Sequence, residues 1–324
     1  VAWDQSRALR WVPVVVAILV AAIVVLVGLT GRDALVPPPL LDDRATPGWS
    51  VVAALLIALP VDDHAALLGL SALGAGVSAW LLVRLVVDSG HHPIADLTGG
   101  VAGAMLMCAS AAWLAPAADA GPASVMSALA LGAITALDHV ARGGGARAGV
   151  ASAVCLGWLV AMAPTSRWLL LPLATLIVLR VRHGARWPLI LPAVLLVVWG
   201  LALVQWALLP AAPSAPAVVT VDATTYVERL GDTLGPVALV AAMAGGLALL
   251  GRGRRSRWLA VSTAMLLLAG LRADLVGGSP GPLVVVAASV ARPWACRGWR
   301  PGCACRARSC GSVPPARPWW PRRR

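Results

Sequence analysis

Apolar residues run along this chain in long blocks with short polar breaks between them, and the block lengths set the first reading. A helix needs roughly 20 apolar residues to cross the hydrocarbon of a bilayer. Trp11–Thr30 meets that length, is led by Arg7 and Arg10, and is too long and too apolar for the core of a cleaved signal. Further spans are predicted near 66–87, 97–116, 123–140, 149–164, 167–183, 187–209, 236–250 and 258–276, with a last apolar stretch at 280–291. Residues 49–60 are apolar but too short to cross, so a helix lying along the interface or re-entering is expected there. The expected fold class is an all-α integral membrane protein. It would be a polytopic bundle of about 9–10 transmembrane helices, with a short interfacial helix after the first extracytoplasmic loop. Small residues such as Ser71-Ala72-Leu73-Gly74-Ala75-Gly76 predict close helix–helix approach.

Composition strengthens that reading. The chain of 324 residues is 59% hydrophobic and 12% charged, against about 25% charged in an ordinary soluble domain. A soluble fold has nowhere to put so much apolar surface. Disorder, collagen, coiled coil and a secreted disulfide scaffold are excluded on the same grounds. Lys and Phe are absent, so every basic side chain is Arg, a usage that fits a very GC-rich gene.

The net charge of +12 is concentrated at one end. Residues 291–324 hold nine Arg and no acid, together with Cys296, Cys303, Cys305 and Cys310 and with Trp294, Trp299, Trp319 and Trp320. A tail of this kind could lie on anionic lipid or touch nucleic acid. Its cysteines do not have a usual zinc spacing, and no His follows them. Out-of-frame translation of a GC-rich gene yields mostly these residue types. The chain therefore divides into a polytopic membrane domain, 1–290, and a tail, 291–324, that is disordered or out of frame. No function, metal or nucleic-acid partner is assigned to the tail.

The Arg distribution then sets an orientation. With the N-terminus in the cytoplasm and the spans alternating, the inside receives Arg7, Arg10, Arg84, Arg142, Arg147, Arg180, Arg182, Arg186, Arg252, Arg254, Arg255 and Arg257. The outside receives only Arg32, Arg44, Arg167, Arg229 and Arg272. This follows the positive-inside rule and predicts a multi-pass protein of the plasma or inner membrane. Most of the carboxylates fall outside. Asp138-His139 ends a span on the inside and is expected to be snorkelled or solvated.

Two outside loops are long enough to hold chemistry. In the first, 31–48, Pro37-Pro38-Pro39 stiffens the chain and Pro47-Gly48 turns it, so Asp33, Asp42 and Asp43 can be presented at the lipid boundary. The second, about 210–235, carries Asp222, Tyr226, Glu228, Arg229 and Asp232. Each acid taken singly can also be a solvated loop charge. Elsewhere His91-His92 with Asp88 and Asp96 resembles a metal cluster but lies in an inside loop beside Pro93, Gly143-Gly144-Gly145 is no phosphate loop, and Cys108 and Cys155 read as packing residues. No metal or cofactor is expected.

Several of these segments resemble, in order, the N-terminal module of GT-C membrane glycosyltransferases of the bacterial protein O-mannosyltransferase-like kind. The matching residues are Thr30-Gly31-Arg32-Asp33, Thr46-Pro47-Gly48-Trp49, Leu59-Pro60-Val61-Asp62-Asp63, Leu70-Ser71-Ala72-Leu73-Gly74-Ala75 and Leu81-Leu82-Val83-Arg84-Leu85. A looser likeness runs through Trp113-Leu114-Ala115-Pro116 and 157–165 to about residue 180. The motifs are low in specificity, being mostly apolar and small residues at matching spacing. The resemblance implies that Asp33 holds the position of the proposed catalytic base. Two positions depart from the family pattern: Ala34-Leu35-Val36 stands where a second acid commonly follows, and Ala45-Thr46 replaces a His and a Pro.

Transfer from a polyprenyl-phosphate sugar to a hydroxyl needs a carboxylate to accept the hydroxyl proton. It also needs cations for the departing lipid phosphate. Asp33 is the candidate base with Asp42 and Asp43 as alternates, while Arg44, Arg167 and Arg32 are candidates for the phosphate. The expected partners are the lipid bilayer, a polyprenyl-phosphate-linked sugar donor, and a protein or glycan acceptor. A multi-pass transporter or flippase, or a non-catalytic relative of the enzyme, are the competing readings. The absence of charge from the span centres weighs against ion-coupled transport.

Overall fold

A computed structural model describes residues 2–30, 62–89, 93–141, 146–162, 223–251, 254–277 and 282–298, together with Trp49, Val52, Leu55, Leu56, Ala58 and Pro60. Helix is the only regular structure among the described residues. Ten helices are bounded: α1 (Ala2–Thr30), α2 (Asp63–Ser89), α3 (Pro93–Cys108), α4 (Ala111–Ala118), α5 (Ala123–Ala141), α6 (Ala146–Met162), α7 (Ala223–Leu234), α8 (Pro236–Gly251), α9 (Arg254–Gly277) and α10 (Pro282–Gly298).

Three of them are long and apolar enough to cross a membrane: Trp11–Thr30, Asp63–Asp88 and Ala123–Val140. The segment expected as one span at 97–116 is two helices, α3 and α4, bent by 66° at residues 109–110; counted as one broken span, the pair makes a fourth. Arg147–Met162, Pro236–Leu250, Arg257–Leu268 and Leu283–Ala295 are shorter apolar helices. The spans expected at 167–183 and 187–209 lie outside the described residues.

Hydrocarbon gives two apolar helices no reason to prefer each other over lipid, so helices that associate there rely on close packing and on hydrogen bonds. The sequence supplies both at α2. A Cβ on Gly76 would sit 2.9 Å from the Ala17 carbonyl of α1, and one on Gly74 would sit 3.0 Å from the Val125 amide nitrogen of α5. On α3, Gly100 is as tightly placed, 3.0 Å from the Val83 α-carbon of α2. Small residues thus bring three helices against α2 at backbone range. Polar bonds run along the same seam. Ser71 Oγ donates to the Ala117 carbonyl at 2.6 Å and lies 2.8 Å from Ser124 Oγ, while Ser78 Oγ bonds the Gly74 and Ser124 carbonyls. The buried Trp113 of α4 completes it, its Nε1 donating to Ser127 Oγ of α5 at 2.9 Å.

A second hub forms around α10, where every residue from Leu283 to Trp294 is buried. A helix enclosed on all sides needs apolar or small residues all round, and Leu283-Val284-Val285-Val286-Ala287-Ala288 supplies them. Its neighbours receive it on glycines: Gly103 of α3 against the Ser289 carbonyl, Gly270 of α9 against Val284, and Gly245 of α8 against the Ala291 carbonyl. The change of composition at residue 291 therefore falls inside a helix. Arg292, 7% exposed, donates its Nε to the Ala238 carbonyl of α8 at 3.2 Å.

Large apolar side chains face outward in rows at helical spacing. Trp11, Val15, Ile18, Leu26 and Leu29 do so on α1, and Val237, Val240, Met243, Leu247 and Leu250 on α8. Continuous exposed apolar surface of this kind is unfavourable in water and suits lipid. The apolar stretch after the first loop is helical at Trp49, Val52, Leu55 and Leu56. Trp49, Val52 and Leu56 pack against the core cluster, while Leu55 is 67% exposed. That spacing gives one inward and one outward face.

Candidate functional site

One end of the bundle gathers the C-terminus of α1, the N-terminus of α2 and the C-terminus of α4. The tie is Gly28 of α1, where a Cβ would fall 2.7 Å from a Leu68 methyl of α2 and 2.8 Å from the Ala118 carbonyl of α4. Thr30 closes α1 by donating its hydroxyl to the Leu26 and Val27 carbonyls. Asp62 opens α2: its Oδ2 accepts from the Ala65 amide at 3.1 Å and its carbonyl accepts from the Ala66 amide at 2.9 Å. This is the N-cap arrangement that Asp favours, an acceptor for an amide that has no carbonyl partner one turn back.

Thr30 and Asp62 bracket the acidic, proline-bearing loop and the interfacial segment in the sequence. Asp33, Asp42, Asp43, Arg32, Arg44 and Arg167 all lie outside the described residues. The described neighbours of that loop are exposed carboxylates, Asp62 and Asp63 at the start of α2 and Asp119 after α4, with His64 beside them in the sequence. His64 Nε2 is buried without a hydrogen-bond partner among the described residues. No sequence signal singles out His64, because its burial depends on which helices pack against the first turn of α2. Exposed carboxylates at such an end can accept a proton or hold a hydroxyl. Asp62 already spends one oxygen on its cap.

The second loop expected on the outside is helical over 223–234, which differs from expectation. Residues 223–234 form α7, with Leu230 buried, Leu234 packed on the core, and Glu228 and Asp232 exposed. Acids and leucines each recur at spacing four, so the helix has a wet and a dry face. Gly235, at φ +78°, ends it in the left-handed conformation that glycine adopts without steric cost, and Pro236 starts α8.

At the opposite end of α2, Arg84 lies 3.7 Å from Asp88 and 5.4 Å from the Trp80 ring, both charged groups well exposed. Asp138, expected to be snorkelled or solvated, is buried at 5% exposure, and Asp96 is 1% exposed. Helix α10 packs against both α3 and α5, the helices that carry these two carboxylates. His139, by contrast, is exposed. Among the described residues no three His, Cys, Asp or Glu side chains group to hold a metal, and His91 and His92 lie outside those residues. Cys108 and Cys155 are free thiols; Cys155 Sγ lies 3.2 Å from where a Cβ on Gly132 would stand, a packing contact between α5 and α6.

Comparison with known proteins yields no match, whether to a family model, a curated protein or a solved structure.

Proposed function

We propose that this chain is a multi-pass membrane glycosyltransferase of the GT-C type, acting at the extracytoplasmic face of a plasma or inner membrane with its N-terminus in the cytoplasm. The apolar helices outside the three long ones, including those expected at 167–183 and 187–209, complete a bundle of about nine or ten spans. Asp33 accepts the proton of a protein or glycan hydroxyl, with Asp42 and Asp43 as alternates. Arg44, Arg167 and Arg32 hold the phosphate of a polyprenyl-phosphate sugar as it leaves.

The observation that supports this reading is the shared end of α1 and α2. Because Gly28 and Leu68 are in contact, the loop that carries Asp33 leaves and re-enters the bundle at one place. The exposed apolar side chains of the last turns of α1, Leu26 and Leu29, are where a lipid tail would lie. The lipid tail cannot leave the bilayer, so transfer must occur where carboxylate and hydrocarbon meet. The positive-inside asymmetry of the arginines supports the same face.

The test is direct. Purified protein is incubated with labelled polyprenyl-phosphate sugars and a hydroxyl-bearing peptide or glycan. Transfer is expected, and Asp33→Asn lowers it at least about 100-fold with folding intact. Transfer by that variant within about threefold of the unmodified protein removes Asp33 from the role.

A further inference from the structure

Helices α3 and α4 are broken where the sequence gives no cause for a break. Met105-Leu106-Met107-Cys108-Ala109-Ser110-Ala111-Ala112 has neither Gly nor Pro and is rich in strong helix formers. Sharp kinks usually sit at Pro, at Gly or at an inserted residue. Pro116 is six residues on, and its ring opposes the Ala112 carbonyl within α4, so it does not account for a break at 109–110. The bend of 66° is held instead by contacts from outside: Trp113 Nε1 to Ser127 Oγ of α5, and Ser71 Oγ of α2 to the Ala117 carbonyl.

Ser110 sits at the bend. It occupies the N-cap of α4 yet makes no capping bond, and its Oγ is buried with no partner. Several helical hydroxyls of this chain bond the carbonyl four residues back, as in Ser78 to Gly74, Thr98 to Ile94, Thr263 to Leu259 and Ser289 to Val285, whereas Thr135 and Ser152, like Ser110, have no partner among the described residues. In an unbroken helix Ser110 would reach the Leu106 carbonyl in the same way. Local preference and tertiary pinning therefore oppose each other at one point.

We propose that residues 109–110 are a two-state hinge, bent when Trp113 is pinned to Ser127 and continuous from Pro93 to Ala118 when it is released. Release swings α4 away from α2 and α5 and uncovers Gly28 and Leu68, opening the end of the bundle between α1 and α2 from the side. The hinge stands whether or not the chain transfers sugar.

Spin labels at Ile94→Cys and Asp119→Cys, in a background with the native cysteines changed to Ala, measure the bend. A continuous helix lengthens that separation by about 5 Å, from the 1.5 Å rise per residue. Ser127→Ala is expected to add a population at the longer distance, and Ser110→Ala placed on top of it to shrink that population by removing the hydroxyl that favours the continuous form. Amide exchange on the unmodified protein provides a second measurement. Ala111 and Ala112 lack carbonyl partners in the bent form and gain them in the continuous one, so sub-population protection at both is expected. One unchanged distance in both variants, or full exchange at both amides, overturns the hinge.

Discussion

Gly74 and Val125 lie so close that α2 and α5 touch through backbone: a Cβ on Gly74 would stand 3.0 Å from the Val125 amide nitrogen and 3.1 Å from the Ser124 carbonyl carbon. Nothing there is the flexible end of a side chain. The contact fixes where α5 runs along α2, and the Ser71–Ser124 and Ser78–Ser124 bonds follow from it.

Gly74→Val is therefore expected to force the two helices apart and destabilise the protein by about 2 kcal/mol, the range of overpacked cores. Gly69→Ala, where a Cβ meets nothing within 4 Å, is the control. It is expected to be neutral or to stabilise by up to about 1 kcal/mol through helix propensity. Thermal unfolding in detergent compares the two; equal midpoints would refute the close approach.

Ser71 bonds two partners inside the bundle, so Ser71→Ala leaves the Ala117 carbonyl and Ser124 hydroxyl to find others. A loss of about 1 kcal/mol is expected, typical of hydrogen bonds between membrane helices. Unfolding in detergent measures this too, with Ser124→Ala and the double variant closing a cycle that shows whether the two hydroxyls act together.

Ala120, at φ +56°, closes α4 in the left-handed region, and the next amide, Gly121, donates back to the Pro116 carbonyl at 3.1 Å. That is the six-to-one closure of a helix end for which glycine is suited. Ala120→Gly removes the Cβ penalty and is expected to stabilise by about 1 kcal/mol. A lower unfolding midpoint would count against this turn.

Chain truncation asks whether the tail begins where the composition changes. A stop after Val290 removes Ala291, Arg292 and Trp294, all buried, and deprives Gly245 of its contact. That variant is expected to aggregate or lose its sharp unfolding transition, while a stop after Gly298 is expected to behave as the full chain. Equal behaviour on gel filtration would place the boundary at 291 after all.

Much of the helix pattern was legible because apolar length decides it: Trp11–Thr30 and 123–140 were read from the sequence and appear as Trp11–Thr30 and Ala123–Val140. The interior of the span expected at 97–116 was not, since the break at 109–110 comes from Trp113 and Ser71 contacts with distant helices rather than from a local breaker. Asp138 was misread for a related reason. Its place near a helix end suggested solvent, but burial is decided by what packs over it. The four-residue spacing of leucines and acids in α7 spans only about three turns, too short a periodic signal to stand out from the polar segment at 210–235. The acids and arginines proposed for chemistry stand out by side-chain type, by expected side of the membrane and, for Asp33, by its place in the family resemblance. None of these criteria says which of them converge.

The proposed enzyme requires the segment between Thr30 and Asp62 to face the extracytoplasmic side. A dual alkaline phosphatase–fluorescent protein reporter fused after Leu40 tests this in intact cells. Phosphatase activity without fluorescence is the expected result, with a fusion after Ser89 giving the reverse. Fluorescence without phosphatase activity at Leu40 would put Asp33 in the cytosol and contradict the proposed enzyme.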